Sequence, residues 1–206
     1  MAMYNELLWI FTQLPDNYIV LDTETTGLPD ENGLPDIVTL GITVVRGREI
    51  SESIEFKAQP QKRISEEAQS IHGITNELAA AFERFDSQWQ RIAGYLQDQL
   101  IVIHNASFDW PILLDHVARY GLAMPQIQGV FCSQKAATPW AQAMNLPCSH
   151  RGPSLDTLGE QLGTEDLRVK ANGLHGAVID SRQTAQIVEV MRHDGDFRET
   201  TEIYVE

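Results

Sequence analysis

The sequence predicts a mixed α/β fold: a central sheet with an antiparallel hairpin after its first strand, then parallel strands, flanked by helices. Three observations predict it. Tyr18–Leu21 is an apolar run that ends in polar residues, as a strand emerging from a core does. Ile37–Val45 and Ile50–Lys57 read as two further strands joined by the tight turn Arg46-Gly47-Arg48. From Leu100 onward, short apolar runs alternate with segments of helical period.

The elements follow in order. Met1–Gln13 carries Leu7, Leu8, Trp9, Ile10 and Phe11 but has no basic leader and is too short to span a bilayer, so it reads as an amphipathic helix packed on the domain. Leu28–Asp36 is a Pro/Gly/Asp loop. Ser65, with Glu67 and Ala68, starts a short helix, and Thr75 is an N-cap for Asn76–Phe82. Asp86–Gln97 places Trp89, Ile92, Ala93 and Leu96 at helical spacing. After a strand at Leu100–His104, Asp109-Trp110-Pro111 opens a helix that Gly121 closes, because proline fits a first turn and glycine a C-terminus. Val130–Cys132 is a strand, Ser133–Met144 a helix and Asn145–Pro153 a loop. Ser154 caps a helix to Leu162, and a last helix covers about Gly176–His193. The acidic tail, residues 194–206, contains Glu202-Ile203-Tyr204-Val205, either an edge strand or a frayed end.

A chain of 206 residues is most economically one domain. Its formal charge is −14, from 15 basic and 29 acidic residues, which argues against a broad basic surface that coats nucleic acid. It does not argue against a nuclease whose cations are bound metals. No other window is apolar enough to cross a membrane, and the two cysteines, Cys132 and Cys148, fit reduced thiols in a cytoplasmic protein.

Asp22 and Glu24 carry the strongest chemical signal. Residues two apart on a strand share a face, so both carboxylates point the same way at the end of Tyr18–Leu21. Two like charges side by side at the end of a hydrophobic strand are costly unless a cation neutralises them, and hard oxygen donors suit magnesium or manganese. Asp109 follows the strand end Ile103-His104-Asn105, where ligands bind in open α/β sheets; alone it would read as a helix cap. His175 and Asp180 are five apart, roughly 140° around a helix axis. If they serve one site, His175 must precede the helix, on Asn172-Gly173-Leu174, while Asp180 is fixed on it.

Taken jointly, Asp22-x-Glu24, Asn105-x-x-x-Asp109 and His175-x-x-x-x-Asp180, in that order, resemble the DEDDh (DnaQ-like) 3′–5′ exonucleases of the ribonuclease H-like superfamily. Ile71-His72-Gly73-Ile74-Thr75 and Ser154-Leu155-Asp156-Thr157-Leu158 match further family segments, so the resemblance runs from about Tyr18 to Met191. The wording around Asp22 and His175 is most similar to the proofreading epsilon subunit of bacterial DNA polymerase III. The resemblance implies a single exonuclease domain over residues 1–206, with an N-terminal helix in 1–14, a catalytic core over 18–193 and the acidic tail. It implies two Mg²⁺ or Mn²⁺ ions held by Asp22, Glu24, Asp109 and Asp180, with His175 as general base. It implies that Thr23, Thr25, Gly27 and Leu28 hold the terminal nucleotide, that His72 flanks it, and that Asn105 contacts phosphate.

The implied partners are nucleic-acid 3′ ends, single-stranded or frayed DNA ahead of RNA. The chain departs from the family in having Thr39 where relatives often carry a glutamate, and in a long Leu28–Asp36 loop. It also stops soon after the last helix, without an extended polymerase-binding tail, which argues against permanent polymerase association. The rival readings are an RNA-directed exonuclease of the same fold, ribonuclease T-like or oligoribonuclease-like, and a non-catalytic polymerase-accessory module.

Overall fold

The computed structural model describes residues 2–196 except residues 32, 166 and 171–173. A 3₁₀ helix, Ala2–Leu8, runs into the short α1, Trp9–Thr12. The sheet consists of β1 (Tyr18–Thr25), β2 (Ile37–Arg46), β3 (Glu49–Lys57), β4 (Leu100–Ile103) and β5 (Gly129–Cys132). Between β3 and β4 lie α2 (Glu66–His72), α3 (Asn76–Ala79) and α4 (Phe85–Leu96); α5 (Ala106–Arg119) joins β4 to β5. After β5 come α6 (Ser133–Ala143), the two-residue strands β6 (Cys148–Ser149) and β7 (Gly152–Pro153), then α7 (Leu155–Leu162), α8 (Leu167–Lys170) and α9 (Ala177–Asp196).

The strand order is β3-β2-β1-β4-β5. β1–β2 and β2–β3 are antiparallel, and β1–β4 and β4–β5 are parallel, as the sequence predicts. The hairpin turn places both Gly47 (φ 57) and Arg48 (φ 69) in the left-handed region, the backbone that a two-residue hairpin with right-handed strand twist requires.

Helices cover both faces of the sheet. Ile19 and Leu21 of β1 join a core with Trp89 and Ile92 of α4 and Ile112, Leu113 and Val117 of α5. Tyr18 and Val20 join the opposite core with Trp140 of α6, Leu158 of α7 and Ile187, Val188 and Met191 of α9. Burial on both sides explains why β1 reads as a continuous apolar run rather than an alternating one. Each such side chain contributes about 1.5–3 kcal/mol of burial. Leu8 and Phe11 pack into the second core, while Trp9 stays 58% exposed.

Several expectations need correction. The N-terminal segment packs on the domain, but mostly as a 3₁₀ turn rather than an α-helix. The Thr75-capped helix ends at Ala79, short of Phe82. α5 starts at Ala106, not at Asp109, because Asn105 adopts the left-handed conformation (φ 66) that asparagine tolerates and turns the chain earlier. Asp109 therefore lies in the first turn, and Pro111 falls two residues after it, within the helix. The supposed Asn145–Pro153 loop holds the small β6–β7 ribbon, and α8 was not foreseen. Asn172 and Gly173 lie outside the described residues, as does 202–205, the tail segment read as an edge strand or a frayed end.

Candidate active site

The parity of β1 builds the site. Tyr18 and Val20 face α9, so Asp22 and Glu24, at the same parity, fall on the face that α9 covers; Ile19 and Leu21 face α5, and Thr23 follows them. The first turn of α9 carries Asp180 toward the two strand carboxylates, and the first turn of α5 carries Asp109 to Thr23. The Thr23 backbone N–H donates to Asp109 Oδ1 at 3.0 Å and the Thr23 hydroxyl donates to the same oxygen at 2.6 Å. Thr23, expected to touch substrate, thus has its hydroxyl engaged in holding a carboxylate.

α9 can approach β1 and β2 closely because position 41 is glycine. Gly41 is the register partner of Asp22, and a Cβ there would collide with the backbone of Ala177 and Val178. The missing side chain lets the start of α9 lie directly on the sheet, bringing Asp180 to the end of β1.

Oxygen or nitrogen atoms of Glu24, His175 and Asp180 lie within 4.8 Å of one another. His175 precedes α9, as the five-residue spacing implies if it shares a site with Asp180, and its backbone N–H donates to the Ile71 carbonyl at 3.0 Å. Its Nδ1 lies 3.4 Å from Asp180 Oδ2. Arg168 reaches the same carboxylate: Nε donates to Oδ1 at 2.8 Å and Nη2 to Oδ2 at 2.6 Å, while Nη1 donates to Asp156 Oδ1 at 2.5 Å. No role for Arg168 was foreseen; its only sequence signal is a basic residue shortly before His175 in an acidic chain, which is weak.

The electrostatics divide the acids into two kinds. Burial, together with the charges of Asp109, Asp180 and Glu24, holds Asp22 well above the usual carboxylate range. Burial and the Asp180 charge push Glu24 up to about 8. Burial pushes Asp109 up to about 7 against the pull of its Thr23 hydrogen bonds. Asp180 is also desolvated, yet hydrogen bonds from His175 and Arg168 hold it below the ordinary value. His175 is raised by its hydrogen bond to Asp180. Crowded carboxylates that resist ionisation beside oxygen-rich geometry fit a divalent cation, which would relieve the repulsion that raises them. Among the described residues, Arg168 and His175 supply the compensating positive charge.

A cleft of about 780 Å³ opens beside Glu24 and His175, lined also by Thr23, Thr25, Gly27, Leu28 and His72. Leu28 is 70% exposed at its edge. The Thr25 hydroxyl donates to the Gly27 carbonyl at 2.7 Å. His72 Nδ1 accepts from the Ile74 N–H at 3.1 Å, which leaves Nε2, 3.3 Å from the Thr25 carbonyl, as the protonated nitrogen. Desolvation lowers its pKa, so the ring is a neutral wall of the cleft. Asn105 lies elsewhere: it lines a second, polar cavity. Thr39, the departure noted in the sequence, pairs with Glu24 across β1–β2, and its buried hydroxyl has no hydrogen-bond partner among the described residues.

The chain is 30% identical over 182 residues to a PolC-type DNA polymerase III of Thermotoga maritima, covering 86% of this chain but only 12% of that polymerase. It is 27% identical over 181 residues to the epsilon subunit of DNA polymerase III of Pasteurella multocida, covering 86% and 68% of the two chains. The nuclease domain of 3′hExo, a DEDDh family member solved bound to rAMP, superposes with a TM-score of 0.66 at 16% identity, covering 87% and 93%; that likeness is one of fold. No helix among the described residues is long and apolar enough to cross a membrane. The model of the exonuclease family matches residues 19–188, a span that contains Asp22, Glu24, Asp109, His175 and Asp180: the chain belongs to the exonuclease family.

Proposed function

We propose that the chain is a metal-dependent 3′–5′ exonuclease that acts on DNA 3′ ends, with Asp22, Glu24, Asp109 and Asp180 as the metal ligands and His175 as the general base. The observation that carries this reading is the convergence of Glu24, His175 and Asp180 at the end of β1, beside an open cleft of about 780 Å³. Two divalent ions, Mg²⁺ or Mn²⁺, would lower the pKa of a water and neutralise the charge that develops on the leaving 3′ oxygen.

The chain's own residues perform the rest. His175 takes the proton of the attacking water at the ring nitrogen not directed at Asp180, and it must be neutral to do so. Asp180 fixes the ring plane through Nδ1. Thr23 holds the Asp109 carboxylate in one orientation, so that its other oxygen, Oδ2, remains a ligand. Gly27 brings bare backbone to the cleft, exposed Leu28 offers an apolar surface for the terminal base, and neutral His72 lines the cleft beside them. Gripping only the last nucleotide in this way needs little basic surface, which accommodates the net charge of −14.

DNA is placed ahead of RNA because the PolC-type and epsilon relatives are DNA polymerase components. The test is a comparison of single-stranded DNA, mismatched duplex and RNA under one set of Mg²⁺ conditions, with chelator as control. Release of 5′-mononucleotides from DNA in metal supports the reading. A faster rate on RNA assigns the site to the RNA-directed branch, and no hydrolysis of any substrate overturns it.

A further inference from the structure

A second cavity, of about 410 Å³, lies on the other side of the first turn of α5 in the sense that Ser107 lines it while the adjacent Phe108 lines the cleft. Its wall is formed by α6, through Gln134, Lys135, Thr138 and Gln142, and by the β6–β7 ribbon, through His150 and Arg151. Although the chain has 29 acidic and only 15 basic residues, no carboxylate among the described residues lines this cavity. Several other cations are paired with acids: Arg48 with Glu189, Arg84 with Asp86, Arg119 with Asp36, Arg168 with Asp180 and Arg192 with Asp16. Among the described residues, no carboxylate pairs with Lys135 or Arg151. Arg151 Nε instead donates to His150 Nε2 at 3.4 Å.

The wall is built, not a chance concavity. Gln134 is buried and its Nε2 donates to the Pro153 carbonyl at 2.9 Å, while His104 Nε2, 3.2 Å away, meets the same carbonyl from the end of β4. Gly152 (φ 125) sits so close to α6 that a Cβ would lie 2.5 Å from Thr138 Oγ1. The ribbon that carries Arg151 is thereby fixed against the helix that carries Lys135 and against the strand that leads into Asn105. Asn105 Oδ1 accepts from the Ser107 hydroxyl at 2.8 Å, which leaves the Asn105 amide N–H₂ group as a donor at the edge of the cavity.

We propose that this cavity binds the phosphodiester backbone of the single strand upstream of the 3′ end, with Lys135 and Arg151 holding its phosphates. The inference rests on the exonuclease reading of the neighbouring cleft. A chain of charge −14 repels a polynucleotide at long range, so a local pair of uncompensated cations beside hydrogen-bond donors decides where the strand lies. Contacts of this kind set register and orientation without reading bases.

The test separates short from long substrates. The p-nitrophenyl ester of thymidine 5′-monophosphate has no upstream phosphate, whereas a long single strand has many. In the double variant Lys135→Ala/Arg151→Ala, KM for the strand should rise about tenfold with kcat unchanged. The dependence of log KM on log salt should flatten by about 0.7 for each phosphate contact removed. Hydrolysis of the nitrophenyl ester should not change, and the charge-conserving variant Lys135→Arg/Arg151→Lys should recover most of the strand's KM. An unchanged KM and salt slope on the strand overturn the inference, as does an equal loss on both substrates. Wild-type protein that hydrolyses neither substrate overturns the reading of the cleft, and this inference with it.

Discussion

Arg168 forks onto Asp180 with two short hydrogen bonds, Nε to Oδ1 at 2.8 Å and Nη2 to Oδ2 at 2.6 Å, so both oxygens of a proposed metal ligand are engaged by a guanidinium. The Arg168 side chain is only 12% exposed and the Asp180 side chain 7%, so the pair is largely shielded from solvent. A planar guanidinium matches a carboxylate better than any other side-chain cation. A divalent ion at the proposed site would compete with this guanidinium for Asp180.

This relationship makes a first prediction. Arg168→Ala should lower stability in chelator by about 1.5–3 kcal/mol, the range for hydrogen bonds to a charged group, because Asp180 loses its main counter-charge. Saturating Mg²⁺ should recover that loss, so the metal-induced rise in Tm should be larger in the variant than in wild type. Equal metal-induced shifts in the two proteins would show that Arg168 and metal do not compete.

Burial, with the charges of Asp109, Asp180 and Glu24 beside it, holds Asp22 well above the usual carboxylate range. Asp22→Asn keeps the shape and removes one charge from the cluster. It should reduce turnover at least about 10³-fold, as expected for several kcal/mol of lost charge stabilisation at 1.4 kcal/mol per decade. In chelator its Tm should match or exceed that of wild type, because repulsion is relieved. Retention of near-normal turnover would remove Asp22 from the metal ligands.

His175→Ala should lower turnover by about 10²–10⁴-fold while metal binding, followed calorimetrically, stays close to wild type. The logarithm of the wild-type rate should climb with pH until the ring is neutral and then level off. Its hydrogen bond to Asp180 raises the pKa, so in that environment the plateau begins above the usual value of 6.5. A variant with the same pH profile as wild type would identify another group as the base.

Buried titratable groups of the metal-free protein should act on its stability in opposite directions. Glu24, raised to about 8, and Asp109, raised to about 7, favour the folded state while protonated, so their contribution is lost as pH rises from the ordinary carboxylate range through those values. His104, lowered to about 4 by burial, acts oppositely: the unfolded chain binds its proton first, and stability falls as pH drops below 6.5. Two acids outweigh one histidine, so stability in chelator should already fall as pH rises from about 5, more steeply above 6.5 where the histidine no longer offsets the loss, and Mg²⁺ should flatten this alkaline limb. Urea unfolding across pH 5 to 9 with and without metal measures this, and an alkaline limb insensitive to Mg²⁺ contradicts the proposed ligand set.

Gly41→Ala should lower stability by about 1–3 kcal/mol, the usual range for overpacking, because its Cβ meets the Ala177 and Val178 backbone rather than a flexible side chain. Turnover should fall further than stability alone accounts for, since the same displacement carries Asp180 away from Asp22. An active, fully stable variant would show that α9 can shift without disturbing the acids.

What could be read from the sequence alone was local and periodic. The apolar run before Asp22, the two-residue step to Glu24, the hairpin and the caps at Ser65, Thr75 and Ser154 each depend on near neighbours in the chain, and each forms as read. The five-residue interval from His175 to Asp180 was enough to place the histidine ahead of α9. The start of α5 was misjudged because asparagine in the left-handed conformation can turn a chain that its spacing pattern would leave extended. Other features arise only when distant segments meet. Thr23 holds Asp109 across 86 residues, Gly41 admits the backbone of residue 177, and His104 and Gln134 fix Pro153 beside two cations from different elements. Spacing along one element follows from backbone geometry and is visible in a single sequence. Which side chain neutralises, holds or makes room for another depends on how the helices cover the sheet, and that only the tertiary structure decided.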